Sequence, residues 1–117
     1  MTMHKDLAAG KWFQLSFCEQ MANVGSEIER SLNWQEKGRA DYAARAFERG
    51  LELLFLTTED PKNKGRLREL TRLHEVLADS FVGDNEYGSS ATSWRRYFGV
   101  FGYAAAMQRA RGAGAGL

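Results

Sequence analysis

Apolar side chains recur every three or four positions along four successive blocks of the chain. The first block carries its stripe at Phe17, Met21, Val24, Ile28 and Leu32. This spacing puts the side chains on one face of an α-helix, and the sustained two-residue alternation of a β-strand is missing. The pattern predicts helices over about residues 16–37, 40–58, 62–82 and 91–110.

Local signals mark the ends of the first three helices. Ser16 followed by Glu19 predicts a capping box at the first, and Gly38 suits its end. Asp60 and Pro61 mark both the end of the second helix and the start of the third. Proline disfavours helix at the residue before it, which ends the second helix, and the pair Asp-Pro is favoured as N-cap and first residue of the third.

The last helix is bounded by a turn-rich stretch and a glycine-rich tail. Residues 83–90 are rich in turn formers, and Ser90 is suited to cap the fourth helix. Residues 112–117 alternate glycine and alanine before the final leucine and are expected to form a loose tail.

Four helices of similar length with short joints favour one fold class. We predict an all-α, antiparallel up-down four-helix bundle, a single domain over residues 1–117. The chain also holds aromatic residues in excess of one core: Trp12, Phe13, Trp34, Phe55, Tyr97 and Tyr103. Such an excess suggests a subunit interface. We therefore expect a homo-oligomer, with Trp94, Tyr97 and Phe98 as candidate interface residues.

Composition excludes several classes of protein. Cys18 is the only cysteine in 117 residues, so neither an internal disulfide nor a Cys-based zinc site is available. The 16 Lys and Arg nearly balance the 15 Asp and Glu, so the whole-chain charge favours neither nucleic acid nor an acidic membrane. No apolar run approaches the length of a membrane span. The lone thiol and the lack of an export signal predict a cytoplasmic protein.

Residues that could carry chemistry are few. The two histidines, His4 and His74, do not form the Glu-x-x-His motifs of a di-iron bundle. We expect no metal, no cofactor and no catalysis, with His74 as a hydrogen-bonded imidazole at the core edge. Cys18 is expected to be a packed, small apolar side chain. Glu27 is expected to form a structural pair with Arg72 or His74.

Basic residues cluster despite the neutral total. The candidates for nucleic-acid binding are Lys62, Lys64, Arg66, Arg68, Arg72, Arg95 and Arg96. One interpretation is a solvated surface laced with ion pairs, such as Glu48 and Glu52 with Arg45 and Arg49. The other is a phosphate-binding surface that an oligomer would multiply. The sequence leaves both open.

One spacing on the third helix is similar to a nuclease motif. Arg68 precedes His74 by six positions, which resembles the Arg-x(4–6)-His motif of HEPN ribonuclease domains. That resemblance implies a histidine acting in acid/base chemistry and an arginine holding phosphate. Six positions turn the two side chains about 240° apart around the helix, however, so they do not share a face.

A second resemblance covers about a third of the chain. Gln20-Met21-Ala22-Asn23-Val24-Gly25-Ser26-Glu27 and Glu48-Arg49-Gly50-Leu51-Glu52-Leu53 are similar to two motifs of a group of small four-helix-bundle proteins. The group comprises proteins encoded by intervening sequences in bacterial large-subunit ribosomal RNA genes and the accessory protein of diversity-generating retroelements. The resemblance implies a pentameric ring whose basic surface engages nucleic acid or a reverse transcriptase, without catalysis.

The leading hypothesis is a non-enzymatic, oligomeric helical bundle that acts as a binding or scaffold protein, with RNA or DNA as the candidate ligand of its basic surface. A protein–protein interaction module without nucleic acid is the first alternative, and a HEPN-like ribonuclease is the second. The three differ in the partner they require: a polyanion, another protein, or an RNA substrate.

Overall fold

The computed structural model describes residues 10–115, and this part of the chain is all-helical. Its elements are α1 (Phe17–Glu36), α2 (Ala40–Glu59), a 3-10 helix (Pro61–Arg66), α3 (Leu67–Phe81) and α4 (Ala91–Ala115). Apolar spacing therefore identified the helical class and the four main helices.

The capping box at the start of α1 is confirmed. The Glu19 amide donates to Ser16 Oγ at 3.1 Å, and the Ser16 amide donates to the Glu19 carboxylate at 3.0 Å. Gly38 follows α1 with a φ of 73°, in the left-handed region that glycine enters without strain. These local signals fix a connection of only three residues, 37–39, between α1 and α2.

The third helix starts differently from the prediction. Asp60 is the cap, as expected, but the helix it caps is a 3-10 helix, and α-helix begins only at Leu67. Gly65, a weak helix former, lies inside the segment. Asn63 is also drawn into buried contacts described below, which favours a tighter turn than an α-helix provides.

The fourth helix is longer than predicted. Ser90 and Ser93 bond reciprocally at its start, but α4 continues to Ala115 instead of ending near residue 110. Residues 112–115 of the expected loose tail are thus helical, and 116–117 lie outside the described residues. Alanine is the best helix former, and the run Ala104, Ala105, Ala106 and Ala110 offsets the cost of the glycines.

Helix α1 lies between α2 and α4 and is antiparallel to both. On one side, Ser31 Oγ donates to the backbone oxygen of Ala43 at 2.8 Å. On the other, Arg95 near the start of α4 bonds Glu29 in the second half of α1. Glycines permit both approaches: an added Cβ at Gly50 would lie 3.1 Å from Ile28, and one at Gly25 would lie 2.7 Å from Phe98.

Helix α3 closes the core through aromatic contacts. Phe81 stacks on Phe47 of α2 with ring centroids 4.5 Å apart. Trp94 of α4 donates its indole N–H to Ser80 Oγ at 3.0 Å. The largest apolar side chains that are fully buried come from α1, α2 and α3: Met21, Val24, Ile28, Leu54, Leu70 and Leu77.

The buried side of α3 does not include His74. Leu70, Leu73 and Leu77 are buried, whereas Leu67 is 42% exposed and His74 is exposed. The expected position of His74 at the core edge is therefore wrong, because the buried side chains of α3 are Leu70, Leu73 and Leu77 and His74 lies outside that row.

Among residues 10–115, none of the helices combines the length and the apolar character needed to cross a bilayer.

Candidate nucleic-acid interface

A buried polar network holds the 3-10 helix against the start of α1. The Gln20 side-chain amide donates to Asp60 Oδ2 at 2.7 Å and to the Trp12 backbone oxygen at 2.9 Å. The Asn63 amide donates to Gln20 Oε1 at 2.9 Å and to the Thr57 backbone oxygen at 2.8 Å. Buried polar groups are stable only when hydrogen-bonded, so this network fixes where residues 61–66 lie.

Asp60 is the charged member of this network and is only 4% exposed. Burial alone would raise the pKa of Asp60. The hydrogen bonds from Lys62 and Gln20 outweigh burial, and the pKa of Asp60 lies below its usual value. Lys62 forms an ion pair with this carboxylate and also donates to the Phe13 backbone oxygen at 3.1 Å. Lys62 is therefore largely occupied by its own chain.

The cations that follow Lys62 face solvent. Lys64, Arg66 and Arg68 are exposed, and none has a described carboxylate within ion-pair distance. The Arg66 guanidinium lies 4.1 Å from the centroid of the Phe17 ring at the start of α1. This cation–π contact holds Arg66 at the surface with its N–H groups available.

The end of α4 reaches the same part of the molecule. Ser16 Oγ donates to Gln108 Oε1 at 2.9 Å, and Phe17 meets Phe101 edge to face at 5.7 Å between ring centroids. The hydrogen bond from the Ser16 amide lowers the pKa of Glu19, and Arg109 makes a smaller contribution in the same direction. We name Lys62, Lys64, Arg66, Arg68 and Arg109 the basic end.

Sequence reasoning missed Arg109. The helix pattern predicted that α4 ends near residue 110, but nothing local shows that this end lies beside Ser16. The predicted antiparallel topology was the available signal, because it places the end of the fourth helix next to the start of the first.

Of the remaining candidate cations, Arg95 and Arg96 lie at the start of α4, away from the basic end. Arg95 Nε bonds Glu29 at 2.8 Å and its terminal nitrogen bonds Glu36 at 2.5 Å, so it joins α4 to α1. Arg72 follows Arg68 by one turn of α3 and lies over the Tyr87 ring at 4.9 Å, beside the 83–90 connection. Arg96 is exposed on α4 without a described carboxylate partner. The structure therefore does not bring the seven predicted residues onto one surface.

The three candidate interface residues Trp94, Tyr97 and Phe98 differ in how far they are buried. Trp94 and Phe98 are 5% and 6% exposed, so most of their surface is already packed against their own chain. Tyr97 is half-buried between Phe98 and Phe101, and burial, with a smaller effect of Glu69, raises its pKa to about 12. The large apolar residues that α4 does expose are Val100, Tyr103 and Met107.

Two further expectations concern side-chain partners. Glu27 pairs with Arg30 at 2.8 Å and with Arg49 at 3.2 Å, so the expected partners Arg72 and His74 were wrong. The reason is that α1 contacts α2 along this edge, and Arg49 is the neighbour across that contact. Cys18 is a half-buried free thiol in the first turn of α1.

His74 lines an open groove of about 320 Å³ between α2 and α3, with Phe55, Thr58 and Glu75 among its neighbours. Arg68 is not part of this groove. In the part of the chain that the structure describes, no three His, Cys, Asp or Glu side chains converge to hold a metal ion.

Comparisons with known families, with curated proteins and with solved structures give no match. The geometry of the chain itself therefore carries the functional argument.

Proposed function

We propose that this chain is a non-enzymatic binding and scaffold protein that holds RNA or DNA by its phosphates at the basic end. The observation that carries the proposal is the run from Lys62 to Arg68. It places four cations in seven residues without an acidic residue between them, and three of the four have no described carboxylate partner.

The chemistry of these cations suits a phosphate backbone. Exposed lysine and arginine side chains release counterions from nucleic acid when they bind it, which is the main source of sequence-independent affinity. Arginine adds a planar set of donors that fits phosphate with two hydrogen bonds. Arg66 is already oriented by Phe17, so less side-chain entropy is lost on binding.

The scaffold part of the proposal concerns assembly. We propose an antiparallel up-down four-helix bundle that forms a homo-oligomer, and the antiparallel contacts of α1 with α2 and α4 support the bundle. Repeating the basic end in an assembly raises overall affinity without new contacts. The ring of five and the reverse transcriptase partner implied by the family resemblance stay predictions.

The ribonuclease alternative has less support. It requires His74 and Arg68 to act on one RNA, but His74 lies in the α2–α3 groove without Arg68. It predicts RNA cleavage that His74→Ala abolishes.

Binding of fluorescent single-stranded RNA and DNA, measured by anisotropy at low salt, tests the proposal. The variant Lys64→Ala/Arg66→Ala/Arg68→Ala removes three phosphate contacts and should weaken binding at least about tenfold. All three side chains are exposed, so the fold should be retained.

A matched control removes three exposed cations at the opposite end, Lys37→Ala/Arg39→Ala/Arg45→Ala. It lowers the net charge equally and should leave most of the affinity intact. Equal losses in the two variants, or no binding by the wild type, would overturn the proposal.

A further inference from the structure

Helix α4 exposes a stripe of apolar side chains with an arginine at each end. Arg96, Val100, Tyr103, Met107 and Arg111 follow each other at spacings of four, three, four and four, so they share one side of the helix. All are exposed, with Val100 at 64% and Tyr103 at 71%. We name this stripe the α4 face: an apolar middle with an arginine at each end.

A groove runs beside the α4 face. It has a volume of about 340 Å³ and lies between α1 and α4, lined by small residues that include Ala22, Ser26, Gly99 and Gly102 above Trp94 and Phe98. An added Cβ at Gly99 or Gly102 would meet nothing within 4 Å. The groove is open to solvent and is large enough for an aromatic ring, since a cavity of about 150 Å³ holds benzene.

One side of helix α2 carries acidic residues instead of arginines. Asp41, Glu48, Glu52, Phe55 and Glu59 recur at spacings of seven, four, three and four, again on one side of the helix. All five are exposed, and Phe55 is 52% exposed. Within the described chain, only Asp41 of the four acids has an ion-pair partner, Arg39 at 3.8 Å. We name this stripe the α2 face.

We propose that the α4 face of one copy docks on the α2 face of a second copy. Arg96 and Arg111 would meet the α2 carboxylates, and Phe55 would enter the groove beside Gly99 and Gly102. The two arginines are about 22 Å apart along the helix. The α2 acids span about 27 Å from Asp41 to Glu59, so carboxylates are available to both arginines.

Pairing of like faces is disfavoured by charge. Helix α4 contains four arginines and no acidic residue, so two α4 faces would bring arginines together in either direction. Two α2 faces would bring carboxylates together. Only the unlike pair is complementary, and like charges placed across an interface oppose association.

The contact is therefore of the head-to-tail kind. Helix α1 separates α2 from α4, so the two faces lie on different sides of the molecule and each copy keeps one face unused after pairing. Such contacts continue into a closed ring or an open chain. The inference rests on the proposed homo-oligomer, but it uses none of the three residues varied at the basic end, so the two can fail separately.

Solution mass, measured by light scattering over a wide range of concentration, is the primary test. The wild type should associate, and association should weaken as salt is raised. Two variants should each be monomers: Glu48→Arg/Glu52→Arg, with two arginine-bearing faces, and Arg96→Glu/Arg111→Glu, with two acidic faces. Mixing the two variants in equal amounts should restore association, because each then supplies the face that the other lacks.

A groove-filling variant keeps the test independent of charge. Gly99→Leu places a side chain in the open groove and replaces a poor helix former, so it should fold at least as well as the wild type and fail to associate. Its control, Val82→Ala, trims a residue that is 77% exposed and outside both faces, and should associate normally.

Three results would overturn the inference. One is a wild type that stays monomeric at all concentrations. Another is association that survives Glu48→Arg/Glu52→Arg, which would show that α2 takes no part. The third is failure of the mixed variants to associate while both remain helical by circular dichroism.

Discussion

Gly25 sets the distance between α1 and α4. Its missing side chain lets Phe98 approach so closely that an added Cβ would lie 2.7 Å from the Phe98 Cβ. The Phe98 Cβ is bonded to the backbone, so it cannot move away unless α4 itself moves. Gly102, on the same pair of helices, has open space where a Cβ would be. Replacing these two glycines by alanine should therefore change the free energy of unfolding in opposite directions.

We predict that Gly25→Ala lowers the free energy of unfolding by about 1–3 kcal/mol, as overpacking does elsewhere. Gly102→Ala should raise it by up to about 1 kcal/mol, because alanine is the better helix former. Urea denaturation followed by circular dichroism measures both. A Gly25→Ala variant as stable as the wild type would show that α4 is not held against α1 at this point.

Asp60 makes the stability depend on pH. Its folded-state pKa lies below the usual value, so its contribution is present above the unfolded pKa of about 4 and is lost as pH falls through the folded pKa. At neutral pH, Asp60→Asn should cost about 1–3 kcal/mol, since Lys62 and Gln20 lose their ionised acceptor.

The difference in unfolding free energy between wild type and Asp60→Asn should therefore shrink as pH is lowered below about 4. Denaturation series at several pH values measure it. A difference that stays constant across this range would show that the Asp60 carboxylate is not the ionised centre of the network.

At the scale of whole helices, signals held within one turn were predictable from the sequence. Ser16 and Glu19 form their capping box because both partners are three residues apart, and Gly38 ends α1 for an equally local reason. The 3-10 start of the third helix was not predictable, because it depends on Asn63 reaching Gln20, 43 positions earlier in the chain. The length of α4 was not predictable from Gly112, because glycine is typical of a helix end, whereas alanines around it favour continuing the helix to Ala115.

The row of leucines on α3 provides the test at this scale. Leu70 is fully buried, so Leu70→Asp places an unpaired charge in the core and should unfold the chain at neutral pH. Leu67→Asp is the control, because Leu67 is 42% exposed and its replacement should retain the helical signal. Equal helicity in the two variants would contradict the assigned face of α3.

Across the whole molecule, positive and negative side chains are nearly equal in number but lie on different surfaces. The near-neutral total hides the basic end, the arginines at the two ends of the α4 face and the acids of the α2 face. The run from Lys62 to Arg68 could be found in the sequence because it is contiguous. Arg95 was misplaced because its partners Glu29 and Glu36 lie on another helix, and Arg109 was missed for the same reason.

The most direct test of the central claim, that nucleic acid is held by its phosphates at the basic end, is the salt dependence of binding. The logarithm of the association constant for single-stranded RNA should fall linearly with the logarithm of salt concentration. Because each phosphate contact contributes about 0.7 to that slope, Lys64→Ala/Arg66→Ala/Arg68→Ala should reduce its magnitude by about 2. A slope equal to that of the wild type, or wild-type binding that does not depend on salt, would contradict the account.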